Sequence, residues 1–311
     1  MAAWNAEATV GRAVASALAE PETAEVLLID DASTDATVAA ARQAATGDPR
    51  LRVIQQQRNV GPAAARNLGL RRSTAPFVAL LDADDVFLGG RLAHLFSLPE
   101  WDLAADNIAF GASAAAPAEH PVVEHLDLAA FVRGNIPRDG VERGELGFLK
   151  PLMRRAFLEQ HGLSYSPGLR LGEDYDLYVR CLMQGARFSL SHRVGYVAEV
   201  RGDSLSSRHA TGDLAALLAA TEGHLSGATD AGARDAMRRH RRHLRKRYLH
   251  RAFLDRKSGQ GALAALAFAL VPPTRVLPIA SGILADKRGG ATGRAPRVAR
   301  TLLPISGGPG R

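Results

Sequence analysis

The chain has 311 residues, a net charge of +7 and a hydrophobic fraction of 46%, which is room for one large α/β domain plus an extension, or for two small domains. Its single cysteine, Cys181, excludes an internal disulfide and fits a reducing compartment. No run reaches the roughly 18 to 20 apolar residues of a spanning helix; the nearest, Gly261 to Pro273 followed by Val276 to Ala285, is interrupted by Pro272, Pro273 and Arg275.

The first segment, Met1-Ala2-Ala3-Trp4-Asn5, does not read as a signal peptide, because no charged segment and apolar run precede a cleavage site. Val10, Val14 and Leu18 recur every four residues, so Glu7 to Ala19 is expected to be a helix with Asn5 as its cap. Val26-Leu27-Leu28-Ile29 reads as a buried strand ending in acids, and Ser33 or Thr34 as the cap of a helix running to about Ala45. A short strand over Leu51 to Ile54 precedes a helix over Gly61 to Leu70 with Pro62 in its first turn. Phe77 to Leu81 is a further buried strand, again ending in acids at Asp82.

This alternation implies an α/β fold with a mostly parallel sheet flanked by helices, whose ligands bind beyond the carboxyl ends of the strands. Such a domain begins with a strand, yet an apolar segment before Ala2 is missing. The expectation is therefore that the first strand is absent and that the true start lies upstream. Downstream, the pattern predicts a strand at Ile108 to Phe110 and helices over Leu126 to Arg133, Met153 to His161 and Glu173 to Gln184. It predicts strands over Arg187 to Leu190 and Val194 to Val200, and helix from Thr211 onward. The tail after Lys287 is rich in Gly, Pro and Arg and is expected to be disordered.

The strongest chemical signal is Leu80-Leu81-Asp82-Ala83-Asp84-Asp85. Alternate carboxylates at a strand end can share one divalent cation, and hard oxygen ligands suit Mg²⁺ or Mn²⁺. The bland reading is an acidic turn. Two strand ends that present carboxylates at one edge need a cation or hydrogen-bond donors to offset their charge.

The surroundings narrow the choice. Asp30-Asp31-Ala32-Ser33-Thr34-Asp35 follows an apolar strand, and Arg58-Asn59-Val60-Gly61 with Ala65-Arg66-Asn67-Leu68-Gly69 precedes the acidic turn. In order and spacing these blocks resemble glycosyltransferase family 2, whose pattern runs from P-A-Y-N through V-D-D-G-S-T-D and N-x-G-x-x-x-A-R-N-x-G to a D-x-D signature. The departures are Trp4 in place of Tyr, Ala32 in place of Gly, and the missing first strand. Gly172-Glu173-Asp174 is similar to the family's E-D motif, and Arg201-Gly202-Asp203-Ser204-Leu205-Ser206 to its R-x-x-S-x-S segment. Gly147-Phe148-Leu149-Lys150-Pro151 resembles members that build bacterial exopolysaccharides of the succinoglycan type.

The resemblance spans residues 2 to 208. It implies a GT-A domain over residues 1–208; beyond it the composition reads as a basic helical extension over 209–287, associated with a membrane by expectation, and a tail over 288–311. The resemblance implies inverting transfer of a sugar from a nucleotide donor, UDP-linked by expectation, to a glycan or lipid-linked acceptor. Asp174 is the implied general base, and Asp82 and Asp84 the Mn²⁺ or Mg²⁺ ligands. Ala3, Trp4, Glu7, Asp31, Arg66, Asp82 and Ala83 are the implied nucleotide-sugar contacts, with Asp31 accepting from the base NH. Glu173, Arg201 and Ser204 would meet acceptor or diphosphate. The implied location is cytoplasmic, at the inner face of the cell membrane.

Each assignment has a structural counterpart: Asp35 as a helix cap, Arg66 as an ion-pair partner of the acidic turn, Glu173 as a helix N-terminal acid. His192 and His209 are weak candidates for a metal shell. A nucleotidylyltransferase would show a Gly-rich basic loop after its first strand. Neither G-x-x-x-x-G-K-[ST] nor G-x-G-x-x-G is present. The basic stretch Arg238, Arg239, Arg241, Arg242, Arg245, Lys246, Arg247 and Arg251 lacks a nucleic-acid motif and favours an anionic membrane as partner. The competing class is accordingly a membrane-surface protein with an inactive, truncated transferase domain.

Overall fold

The structure, a computed structural model, describes residues 1–111, 121–137, 145–199, 210–289 and 300–304, with side chains omitted for 285–289. Its first layer grows from the apolar run at the second strand. All five residues of β2 (Val26–Asp30) are buried, and such a run is stable only when paired and covered on both faces. β1 (Ala2–Ala3) pairs with it in parallel, Ala2 opposite Ile29 and Ala3 opposite Asp30. A first strand is therefore present, two residues long. α1 (Val10–Leu18) crosses over to β2, and α2 (Thr37–Ala45) crosses over to β3 (Leu51–Gln55), which also pairs with β2 in parallel.

α1 starts three residues later than its periodicity suggests, because Asn5 is used elsewhere. Its Oδ1 accepts from Thr34 N at 2.9 Å, and its own N–H donates to Ser33 Oγ at 2.9 Å. α2 starts at Thr37, whose N–H donates to Asp35 Oδ1 at 3.0 Å. Asp35 thus satisfies an orphan donor of that helix start, as its capping reading requires.

α3 (Pro62–Arg72) leads to the second sheet. Its strands are β4 (Phe77–Ala79), β5 (Val86–Phe87), β6 (Leu103–Phe110), β7 (Val123–Leu126), β8 (Leu152–Arg154), β9 (Phe188–Ala198) and β10 (Arg300–Thr301). The helices among them are α4 (Arg91–Ser97), α5 (Leu128–Arg133), α6 (Arg155–Gln160) and α7 (Glu173–Met183). The order is β4-β8-β6-β9-β5, with β10 on β6 and β7 on β9. Among the described residues only β6 and β9 run parallel in this sheet; β4, β5, β7, β8 and β10 all pair antiparallel. The parallel expectation therefore holds for the first sheet and for this central pair. The antiparallel strands have two to four residues each, too few to carry a periodic signal.

Two segments were legible only in part. Met153, expected in a helix, is the fully buried centre of β8, bonded to β4 on one side and β6 on the other. The helix begins after it, at Arg155. The two strands expected after α7 are one strand, β9, irregular where it faces Asp106 to Ile108.

The C-terminal helices are α8 (Thr211–Gly227), α9 (Ala231–Gln260), α10 (Ala262–Leu270) and α11 (Val276–Gly289). Leu217, Ala233, Met237 and Leu244 join the main core, while Leu249, Ala269 and Ile279 form a small cluster of their own. The division expected at residue 208 is thus not a break between cores. The tail also contributes: Leu302 is buried in the main core, and Asn107 Oδ1 accepts from Leu303 N at 2.8 Å.

Candidate active site

The site forms where β2, α3, β4 and α7 end or begin, with its parts set by the backbone. Asp31 directly follows β2. Its Oδ1 accepts from Val60 N at 2.9 Å and Gln56 Nε2 at 2.7 Å, and its Oδ2 from Gly61 N at 2.8 Å. Those bonds pin the Asn59-Val60-Gly61 loop and so fix the start of α3. A carboxylate has about four acceptor positions, so Asp31 keeps one. Its neighbour Asp30 is 1% exposed, and its Oδ1 lacks a hydrogen-bond partner among the described residues. Ala32 holds φ at 61°, the left-handed region that favours glycine.

One turn into α3, Arg66 reaches three acids. It donates to Asp82 Oδ1 at 2.6 Å, Glu173 Oε1 at 2.8 Å and Asp174 Oδ1 at 3.2 Å. Its guanidinium also lies 5.4 Å from the Tyr165 ring centroid. That ring is placed by the next residue of the motif. Asn67 Nδ2 donates to Tyr165 O at 2.8 Å, and Asn67 Oδ1 accepts from Tyr165 N at 2.8 Å. The pair Arg66-Asn67 therefore fixes both a charge and the surface it rests on.

Lys150 completes the group, with Nζ 2.6 Å from Asp174 Oδ2 and 3.0 Å from Asp82 Oδ2. Its backbone oxygen accepts from Arg91 Nη2 at 2.6 Å, and Arg91 is itself buried against Asp106 at 2.8 Å. Burial works against both site cations, but the attraction of Asp174 and then Asp82 holds Lys150 and Arg66 above their ordinary pKa values. Burial likewise opposes ionisation of Asp82, and Lys150 and then Arg66 overcome it, so its carboxyl stays well below the usual range.

The acidic turn is held from below by β9. Tyr196 Oη donates to Asp85 Oδ2 at 2.7 Å and accepts from Asp82 N at 3.1 Å, while Glu199 N donates to Asp85 Oδ1 at 2.9 Å. The Asp85 carboxyl is pushed up to about 7, by burial first and then by the charges of Asp82 and Asp84. Carboxylates are hard oxygen donors of the kind that suit a divalent cation; Asp82 and Asp84 would hold it, with Asp82 giving up part of its contact to Arg66 and Lys150. No group of three or more His, Cys, Asp and Glu is gathered as a metal cage among the described residues.

α7 presents Glu173 and Asp174 in its first turn, where the helix dipole favours anions. Gly172 before it has φ at 71°, and a Cβ there would lie 2.9 Å from Leu217 of α8. The left-handed φ is what calls for glycine here, since the end of the Leu217 side chain can give way.

The structure brings Arg66, Asp82, Glu173 and Asp174 into direct contact. Ala3 and Ala83 are buried together with Ala6 and Val10 behind the acidic turn. Trp4 is 49% exposed, between Ala3, which pairs with Asp30, and Asn5, which bonds Thr34. Glu7 is engaged with α2: Oε2 accepts from Ala36 N at 2.9 Å. Arg201, Ser204 and His209 lie outside the described residues. His192 bonds Glu124 at 3.0 Å on the β7–β9 edge. Lys150 and Tyr196 were not singled out from the sequence as site residues. Lys150 stood inside a quoted motif, but its lone charge in an apolar segment was the only signal.

The profile described as Glycosyl transferase family 2 matches residues 1–111. Succinoglycan biosynthesis protein ExoU of Rhizobium meliloti (strain 1021) is 52% identical over 295 residues, covering 92% of this chain and 86% of the relative. The chain belongs to glycosyltransferase family 2. Succinoglycan biosynthesis protein ExoO of the same organism is 36% identical over 237 residues, covering 72% of this chain and 66% of its own length. The mannosyltransferase PcManGT from Pyrobaculum calidifontis, solved with GDP-Man and Mn²⁺, superposes with a TM-score of 0.56 at 18% identity, covering 92% of this chain and 84% of that one. TarS of S. aureus with UDP-GlcNAc gives 0.54 at 18% identity, covering 91% and 79%. At such identity the two structures establish the GT-A fold alone. As a family 2 glycosyltransferase the protein is an enzyme that takes a hexosyl unit from a nucleotide-sugar donor.

Proposed function

We propose that this enzyme transfers a sugar from a UDP-linked donor to a glycan or lipid-linked acceptor with inversion, in the assembly of a succinoglycan-type exopolysaccharide. The polymer class rests on the 52% identity to ExoU, and UDP on the TarS complex with UDP-GlcNAc. The enzyme would work at the inner face of the cell membrane.

The observation that carries the chemistry is the meeting of Asp82 and Asp174, from opposite halves of the site, on one pair of cations. In a single displacement the acceptor oxygen bonds to the anomeric carbon while the bond to the diphosphate oxygen breaks. Asp174 takes the acceptor hydroxyl proton, and one such step from the far face inverts the configuration. Arg66 and Lys150 face the side on which the leaving diphosphate gains charge, where fixed cations stabilise the transition state. A Mn²⁺ or Mg²⁺ held by Asp82 and Asp84 would supply Lewis-acid stabilisation of the same diphosphate. Asp31 accepts from the base NH with its remaining position. Trp4 lies against the base, Ala3 and Ala83 line the pocket by their backbones, and Glu7 braces its rim. Glu173, Arg201 and Ser204 are proposed contacts of acceptor or diphosphate.

Calorimetry of UDP binding with and without Mn²⁺ tests the donor site. Metal-dependent binding lost in Asp84→Ala supports it, and absence of binding to UDP and other nucleoside diphosphates by the folded protein sinks it.

A further inference from the structure

Eleven large hydrophobic residues are exposed on the described surface, and seven of them fall between Leu263 and Leu284. Leu263 is 85% exposed, Leu277 80% and Val271 71%. They belong to α10, to the turn after it and to α11, which meet at a bend of 105°. α10 is apolar all round, Ala-Leu-Ala-Ala-Leu-Ala-Phe-Ala-Leu, yet only Ala265 and Ala269 are fully buried. A helix of that composition is normally covered on every side, and a contiguous apolar patch of this kind marks an interaction surface.

The charge beside it says what covers it. α9, on which both helices pack, carries eleven Lys and Arg against Asp235 and Asp255. Its excess is larger than the +7 of the whole chain, so the remainder is net acidic. The charge reaches the patch itself. Arg256 lies 4.0 Å from the Phe268 ring centroid and Arg275 4.3 Å, and Arg251 and Lys257 are exposed on the same last turns of α9. Asp255 is the acid among them, paired to Arg251 and accepting from Thr211 Oγ1. A second copy docking on this patch would bring two strongly positive helices together, which self-repulsion opposes. An anionic leaflet complements both features: leucines enter the acyl boundary while Arg and Lys meet the headgroups. α10 is about 14 Å long at 1.5 Å per residue, under half of a hydrocarbon core, and the bend turns α11 aside. The pair therefore lies in the interface plane.

We propose that α10, α11 and the C-terminal half of α9 form an in-plane anchor that seats the enzyme on an anionic bilayer. The proposal takes its purpose from the reading of the acceptor as lipid-linked, and it names the surface that would bring the site to that acceptor.

The test is flotation of the full chain with phosphatidylcholine vesicles, with and without phosphatidylglycerol, alongside UDP calorimetry on the same samples. The full chain should float with the anionic vesicles, and high salt should weaken it. The double variant L263Q/L277Q should bind more weakly by about tenfold per leucine. The double variant R251Q/K257Q, on the last turns of α9 beside the patch, should lose about fivefold per charge and the preference for anionic lipid. All four substituted positions are exposed, so folding and UDP binding should persist. Flotation indifferent to L263Q/L277Q would overturn the anchor, as would no flotation of the wild type. Lipid-free self-association abolished by L263Q/L277Q would overturn it in favour of a dimer. Vesicle binding with no UDP binding would instead remove the donor-site reading and leave the anchor standing.

Discussion

The active site and the C-terminal helices α9 to α11 both gather charge beside apolar surface, but they treat it in opposite ways. At the site, Arg66 and Lys150 each have side chains only 9% exposed and meet acids at 2.6 to 3.2 Å. On α9 most arginines are exposed to water, and ion pairs there are exposed one-turn contacts such as Arg239 with Asp235 at 2.9 Å. Charge taken out of water must be paired with good geometry, and that requirement fixes positions to fractions of an ångström. Charge left in water is screened beyond about 8 to 10 Å and acts as a field. One region is therefore built to recognise a reaction, the other a surface. Changes at the first should be large, local and insensitive to salt; changes at the second should be small, additive and salt-sensitive.

The largest expected effect is at Asp174. Asp174→Asn removes the proposed base and should lower the transfer rate by about 10² to 10⁴, whereas Arg241→Gln on α9 should leave transfer to a soluble acceptor within about twofold. Steady-state rates with a UDP-sugar and a soluble glycan acceptor measure both. Equal losses at the two positions would break the division between the regions.

Next is Lys150. Lys150→Ala leaves Asp82 and Asp174 without one of their two shared cations, and removing one partner of a buried pair costs about 3 to 5 kcal/mol. Urea denaturation should show that loss. Asp82→Asn should be less harmful in the Lys150→Ala background than in the wild type, because one of the uncompensated charges is then gone. A double-mutant cycle with zero coupling would mean that Lys150 serves Asp174 alone.

A smaller effect comes from the contact between the regions. Tyr175, adjacent to Asp174, has its hydroxyl 3.0 Å from His240 Nδ1 on α9. Burial, and then the nearby His243, His224 and Arg247, pull His240 down to about 3. A histidine with a lowered folded pKa takes up its proton more readily when unfolded. Stability is therefore complete above the unfolded value near 6.5 and falls as pH drops from there toward 3. At pH 5 the loss is on the order of 2 kcal/mol. His240→Phe should flatten this slope in thermal unfolding between pH 7 and 5. An unchanged slope would assign it to His243, which burial pulls down to about 4. Asp176, held at about 2 against the pull of burial by His224 and Arg180, contributes only at lower pH: its stabilisation is present above about 4 and lost toward 2.

The parts of this molecule that the sequence revealed are those whose physics is local. The run that became β2 is apolar throughout, α1 carries a four-residue repeat in Val10, Val14 and Leu18, and the acids at strand ends follow from the α/β pattern. Asp82 was found as an acid after an apolar run, and Asp174 through the likeness of Gly172-Glu173-Asp174 to the family's E-D motif. Lys150 was not, because its role depends on Arg91 and Asp106 fixing its backbone from β6 and α4, contacts that no spacing encodes. Tyr196 was missed for the same reason: it supports the acidic turn from 111 residues away. The short antiparallel strands and the return of Leu302 to the core are likewise products of tertiary pairing, which overrode the composition of the tail.

The smallest expected effect sits at a departure from the family pattern. Ala32 occupies the position where the pattern has glycine, and it holds φ at 61°. An L-residue in the left-handed region costs about 1 kcal/mol or more relative to glycine, while glycine gains some freedom in the unfolded chain that returns part of this. Ala32→Gly should therefore raise stability by about 0.5 to 1 kcal/mol in urea denaturation. UDP affinity should change by less than about twofold, because Asp31 is held by Val60 N and Gly61 N rather than by the residue after it. Vesicle binding should not change at all, since the anchor lies on other elements. A marked change in UDP affinity would show that the strain at Ala32 sets the position of Asp31, and that the ordered end of the molecule is tuned by backbone conformation as well as by paired charge.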